Sequence, residues 1–193
     1  MLEYTINFDT DLSIKLLTLI IASILAIKAI IEYRKTQKWK KNEFLAKEIK
    51  DFFADRDVKK ALLILDWHTI DLPLYENEIL ENKNRTIFFR EEIHLVNSLS
   101  VSPKSEFTDE EAGVRKSIDE FLVKLSMFQN YIDNKLITIN DLRPYLVYWM
   151  KIIGDKDNLI KESKYRQKLW DFIIHFEYYQ VVKLLKNFGY KID

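Results

Sequence analysis

The 193-residue chain contains no cysteine, only three glycines and three prolines, and no excess of charge of either sign, with thirty Lys and Arg against thirty Asp and Glu. Without cysteine there is no disulfide, no thiolate metal ligand and no Cys nucleophile. So little glycine and proline leaves no material for phosphate-cradling loops, dinucleotide-binding turns or a many-stranded sandwich, and helices are expected throughout. The charge balance excludes the global basic excess of a general nucleic-acid binder, and no sequence-specific nucleic acid is expected as a partner. What the chain has in quantity is apolar material: 48% hydrophobic and 13% aromatic residues, enough for a sizeable core.

The longest apolar run, Leu12 to Ile31, reads LSIKLLTLIIASILAIKAII. As a helix of about 20 residues it is about 30 Å long, the thickness of a bilayer's hydrocarbon core. Lys15 and Lys28 lie near its ends, where a four-carbon stem can lift the ammonium to the headgroups. Before the run stand Glu3, Asp9 and Asp11 and no Lys or Arg; after it come Arg34, Lys35, Lys38, Lys40 and Lys41. Such a bias predicts a single-pass protein of the cell inner membrane, with its N-terminus outside and its C-terminal domain cytoplasmic. The five cations are also the expected contacts to anionic lipid headgroups. A cleaved signal peptide would place its basic cluster on the other side of the run. An interfacial amphipathic helix would need a continuous polar face, and a core helix of a soluble protein would not need the one-sided cations. Thr18, Ala22, Ala26 and Ala29, spaced by four, four and three, put small side chains on one stripe. This is the expected face for association into a homo-oligomer, and in a ring Lys28 would line a water-filled lumen.

The fold class expected is all-α, an N-terminal transmembrane helix continuing into a cytosolic helical bundle. Residues 1–11 are a short extracytoplasmic segment, 12–32 the transmembrane helix, 33–55 a basic juxtamembrane stalk and 56–193 the bundle. Asp57 is expected to cap a helix through the apolar block Ala61–Leu65, ended by Trp67 with its indole buried. Leu72 to Asn84 is an irregular, acidic stretch without clear periodicity, followed by a helix or short extended piece through Phe88, Phe89, Ile93 and Leu95, and Asn97–Glu106 reads as a loop. Thr108-Asp109-Glu110-Glu111 is a capping box opening a helix with Ile118, Phe121, Leu122, Leu125, Phe128, Tyr131 and Ile132 on one stripe, closed by Asn134-Lys135. Asn140 is expected to cap the next helix, which accommodates Pro144 and stops at Gly154. A last helix is expected from about Lys164 to Asn187, with Gly189 as its stop.

Chemistry is sparse. His68, His94 and His175 are the only imidazoles and fall in no metal-binding spacing, so no metal and no cofactor are expected. His68, between Asp66 and Asp71, has the neighbours of a general base. The all-helical HEPN ribonucleases pair an Arg and a His on one helix to grip a phosphodiester. The nearest arrangement is Arg90-Glu91-Glu92-Ile93-His94, which inserts two carboxylates that repel phosphate. Arg166 and His175 are too far apart to share one turn, and Arg115/Asp119 reads as an i,i+4 helix-face pair. His68, Arg90 and His94 are thus the weak catalytic candidates. A HEPN-like ribonuclease or another helical enzyme is the alternative to a non-enzymatic module.

ALLILDWHTIDLP, FTDEEAGVRKSIDEFLVKLSMFQNYIDNKLITINDLRPYLVYWMKII and HFEYYQVVKLLKNFG resemble a family of bacterial single-pass membrane proteins of unassigned function. The likeness rests on Asp66-Trp67, Arg115/Asp119/Phe121/Leu122 and Asp141-Leu142/Pro144-Tyr145-Leu146/Tyr148-Trp149, and spans roughly residues 10–190. These matches are mostly apolar, so they imply a fold and transfer no catalytic residue. In length and architecture the chain is also similar to the HEPN-like accessory membrane protein of type VI-B CRISPR systems. That likeness implies a pore-type role in antiviral defence with a CRISPR effector as partner. Together these features lead us to expect a membrane-anchored helical interaction or effector module, oligomeric, rather than an enzyme.

Overall fold

In the computed structural model of the chain the described residues are 10–67, 71–73, 86–88, 92–102, 106–158 and 163–192. Among them are seven helices and one short strand pair, and the chain divides into two compact units, Met1–Phe44 and Leu45–Asp193.

The first unit is built on α1, Thr10–Ala54, a single 45-residue helix that no glycine or proline interrupts. It is long and apolar enough to cross a membrane, and none of its apolar window is buried. Thr18 and Ser23 turn their hydroxyls back to the carbonyls of Ile14 and Leu19, each at 2.8 Å, so neither leaves a polar group unsatisfied.

The second unit starts inside the segment expected to be a stalk. Leu45, Ile49 and Phe52, at i, i+4 and i+7 on α1, are buried, so 45–54 belongs to the bundle because its apolar face has a partner there. Phe52 packs against Phe121 and Phe128 with ring centroids 6.0 and 5.1 Å away. Asp55, rather than Asp57, caps α2, Arg56–Asp66: its carboxylate accepts from the Val58 N–H at 3.0 Å. Asp57 lies within the first turn and is paired with Lys116 and Lys60 across 3.5 and 3.8 Å. Val58, Ala61, Leu62 and Leu65 bury one stripe of α2. Trp67 ends the helix as expected, its N–H bonded to Leu63, but its side chain is 54% exposed. The expected burial of the indole is therefore incorrect: the extended backbone at the cap (ψ 143°) takes the chain off the helical path.

The ends of the irregular stretch are bridged by a three-residue antiparallel pair, β1, Asp71–Pro73, on β2, Thr86–Phe88, with Leu72 opposite Ile87. Next come α3, Glu92–Ser98, and α4, Asp109–Asp133, which opens with the expected capping box. Glu111 N–H donates to the Thr108 hydroxyl at 3.2 Å and the Thr108 N–H to the Glu111 carboxylate at 3.1 Å. Val114, Ile118, Phe121, Leu122, Leu125 and Phe128 form its buried stripe, and Asn134 with Lys135 closes it.

α5, Ile139–Gly154, is capped by Thr138 and not by Asn140; the Asp141 carboxylate accepts both the Thr138 N–H and its hydroxyl at 2.7 Å. Leu142, Leu146, Met150 and Ile153 bury its inner face. The single last helix expected is two: α6, Ser163–His175, and α7, Tyr179–Phe188. Glu177, with φ 58°, makes the break. The N–H groups of Glu177 and Tyr178 return to the carbonyls of Ile174 and Ile173, a helix stop of the kind usually built with glycine. Gly189, φ 98°, makes the same stop at the end of α7.

α5 stops at Gly154 as expected, but close packing rather than a left-handed φ calls for glycine there. A Cβ there would lie 2.6 Å from Tyr190 Cβ and 3.0 Å from Leu185 Cδ2, so this residue is small to let the end of α5 approach the end of α7. Gly154→Ala is expected to destabilise by about 1–3 kcal/mol through overpacking. Gly189→Ala, which meets no atom within 4 Å but holds a left-handed φ, should cost about 1–2 kcal/mol through the backbone alone. Thermal unfolding in detergent, followed by circular dichroism, checks both.

Candidate functional site

The structured polar chemistry of the bundle sits where helices meet. Three tyrosines each donate to a carboxylate on another element: Tyr131 to Glu48 at 2.7 Å, Tyr148 to Asp66, and Tyr178 to Asp119. Burial, then the Glu48 bond, pushes the Tyr131 hydroxyl up to about 12. Tyr178 is likewise raised by burial and by Asp119, and Tyr148 by its bond to Asp66. A phenol held this way is a persistent donor, not a base.

Arg115 is the most heavily engaged side chain. Its guanidinium donates to the carbonyls of Ser98 and Ser100 at 2.9 and 3.0 Å and lies 4.8–5.0 Å from the ring centroids of Phe107, Phe172 and Phe176. The expected helix-face pair with Asp119 is thus a minor part of its role. Burial lowers its pKa, with Asp119 and Tyr178 opposing. Arg166, 8% exposed, donates to the carbonyls of Lys156 and Asn158, and Trp170 Nε1 donates to Ile153 O at 2.7 Å. Both arginines tie chain segments together.

At the head of α2, Asp55 Oδ2 lies 2.9 Å from Lys124 Nζ. Burial acts to raise this carboxyl, but the Val58 N–H and Lys124 outweigh it, and it titrates below the usual range. Beside this pair a cleft of about 160 Å³ is lined by Glu48, Asp51, Phe52, Lys124, Met127, Phe128 and Tyr131. It is well below the roughly 300–1,000 Å³ of drug-sized ligand sites.

Of the catalytic candidates, His68 and Arg90 lie outside the described residues, and His94 falls on α3 with its side chain outside them. His175 ends α6, exposed, with its ring 4.8 Å from that of Phe176. Asp66 is taken by Tyr148. No group of three or more His, Asp or Glu that would hold a metal occurs among the described residues. On α1, Thr18, Ala22, Ala26 and Ala29 are all exposed. Lys28 lies 3.8 Å from Glu32, one turn on. Arg34, Lys35, Lys38 and Lys40 are exposed and Lys41 is half-buried. Sequence reasoning missed Arg115 as a hub and the Tyr131–Glu48 cleft, because their partners lie far away in the chain and no local spacing signals them.

No protein family, no curated protein and no solved structure matches this chain.

The Tyr131 arrangement carries a pH signature. Its folded pKa, about 12, lies above the ordinary value of about 10, so the unfolded chain gives up this proton first. The stabilisation is full below about pH 10 and is lost as pH rises through the folded value. Tyr131→Phe is expected to remove this alkaline loss. In ultraviolet titration of phenolate formation it should delete one transition near the alkaline end and leave the rest unchanged.

Proposed function

We propose that the chain is a membrane-anchored helical interaction module in which Leu12–Ile31 crosses the bilayer and the bundle acts on the cytoplasmic side. One observation carries this reading. Twelve Leu and Ile side chains between Leu12 and Ile31 are 48–65% exposed and face no protein partner. Leaving them in water forgoes on the order of 20 kcal/mol of transfer free energy, and hydrocarbon is the solvent that recovers it. The backbone supports the same reading, since a continuous helix satisfies its own N–H and C=O groups.

Orientation follows from Arg34, Lys35, Lys38, Lys40 and Lys41, whose cations bind anionic headgroups for about 1 kcal/mol each near the surface and resist translocation. The stripe Thr18, Ala22, Ala26 and Ala29 is the face on which two copies would pack, because small side chains let backbones approach. A pore-lining role for Lys28 has less behind it. With Glu32 3.8 Å away, its ammonium has a counter-charge just past the end of the apolar run and needs no lumen. The bundle's tightly held arginines and tyrosines fit a binding scaffold better than a reactive centre. Antiviral action remains an implication of likeness alone.

A C-terminal reporter fusion tests the topology: a cytoplasm-active reporter should be on and a periplasm-active one off, and the reverse result overturns the orientation. Replacing the five cations with Gln should give mixed orientations. Ala22→Ile with Ala26→Ile should leave insertion intact while dissociating the oligomer in detergent, read by light scattering. An unaltered oligomer would move assembly to the bundle.

A further inference from the structure

The cleft beside the Asp55–Lys124 pair has a composition that packing alone does not require. Its floor is aromatic: the rings of Phe52 and Phe128 are 5.1 Å apart, Tyr131 lies 6.2 Å from Phe128, and the Met127 side chain, 43% exposed, stands beside them. Its charged lining is Glu48, Asp51 and Lys124. Lys124 is already neutralised by Asp55 at 2.9 Å. Glu48 uses one carboxylate oxygen to accept the Tyr131 hydroxyl, and Asp51, an exposed residue, also lines the cleft. With Lys124 paired to Asp55, which lies outside the lining, Glu48 and Asp51 are left as two carboxylates over an aromatic floor.

Each occupant class can be judged against that lining. Anions are repelled by both carboxylates. A hard metal ion needs a shell of six or more oxygens, which a floor of two Phe rings and a thioether does not supply. Neutral apolar ligands would cover the carboxylates without compensating their charge. A cation with an apolar skin satisfies both parts at once, since ring faces attract cations through their quadrupole and carboxylates supply the counter-charge.

We propose that this cleft binds a small alkylated ammonium group, with Phe52, Phe128 and Tyr131 as its aromatic wall and Glu48 and Asp51 as its counter-charge. The cleft admits one such group and little more. The ammonium belongs either to a soluble amine or to a phospholipid headgroup, and the inference stands whether or not the membrane reading does.

The three methionines of the chain make the test direct. Full-length protein labelled with 13C at the methionine methyls is held in maltoside micelles and titrated with choline chloride. A parallel titration uses 3,3-dimethylbutanol, choline's uncharged isostere. Met127, at the cleft, should shift saturably with choline and not with the alcohol, while Met150, fully buried on α5, should stay in place. Glu48→Gln with Asp51→Asn preserves shape and removes the charge; its choline affinity should fall about tenfold, with the helical circular dichroism spectrum retained.

The absence of saturation at Met127, an equal response to the alcohol, or undiminished binding by the double variant overturns the proposal. The source of the group is read in nanodiscs without added choline. A Met127 resonance at its choline-bound position in phosphatidylcholine, but not in phosphatidylglycerol, assigns a lipid headgroup. The free position in both, still moved by added choline, assigns a soluble amine.

Discussion

The packing of the bundle depends on one stripe of α4. Val114, Ile118, Phe121, Leu122, Leu125 and Phe128 are all at 0–2% exposure, and α2, α3 and α7 each lay a face on α4, joined by Phe52 from the end of α1. Six side chains at about 1.5–3 kcal/mol each amount to on the order of 10 kcal/mol, comparable with the whole net stability of a typical domain, about 5–15 kcal/mol. Losing the stripe at any point is therefore felt by several helices together. Where the stripe begins is set by polar chemistry: the Thr108–Glu111 capping box starts α4, and Asn97 ties the last turn of α3 to the same Glu111 with a bond of 3.0 Å. That carboxylate, 7% exposed, is satisfied from two sides.

Burial is non-directional and does not by itself choose one rotation or register for the surrounding helices. Directional bonds make that choice here. The buried Gln129 donates to Asp133 and accepts from Asn187, and Lys183 reaches Asp133 at 2.7 Å, so α7 is pinned to α4 over two turns. Arg115 fixes the chain leaving α3 through two carbonyls, and its contacts with the Phe172 and Phe176 rings gather the end of α6 to the same spot. Leaving any of these groups buried without its partner would cost about 1–3 kcal/mol, so each one penalises alternative packings more than it stabilises the native one.

What was legible in the sequence is what local chemistry decides. The capping box at Thr108, the apolar stripe that follows it, the stop at Asn134 and the αL stop at Gly189 are signals within a few residues of their effect. The break at Glu177 was not legible, because the left-handed position there is held by a glutamate, at a cost of about 1–3 kcal/mol, and the reading relied on glycine to mark stops. Thr138 was passed over as a cap because Asn140 is intrinsically the stronger capping residue, whereas the partner that matters, Asp141, sits at N3 of a helix begun at Ile139. Trp67 misled in the other direction: large aromatics are buried on average, but Trp67 is itself the C-cap, where the backbone has already left the helical path. The Arg115 hub and the cleft could not be read at all, since Phe172, Phe176 and Glu48 become neighbours of α4 only after the chain has folded.

α1 and α4 distribute the same kinds of apolar residue in two ways. α4 has a stripe and a polar remainder, so one face can be covered by neighbours and the other left in water. Leu12–Ile31 has no polar face, and no single protein surface can cover a helix that is apolar all round. Charge then separates the roles further. The cations Arg34, Lys35, Lys38, Lys40 and Lys41 stand within eight residues, and with these five set aside the rest of the chain carries five more acids than bases. Beside an anionic leaflet, screening confines both effects to about 8 Å at physiological salt. Beside such a surface the basic run would draw its own segment in, whereas Leu45–Asp193, with 23 bases against 25 acids, is close to neutral and would add little pull of either sign.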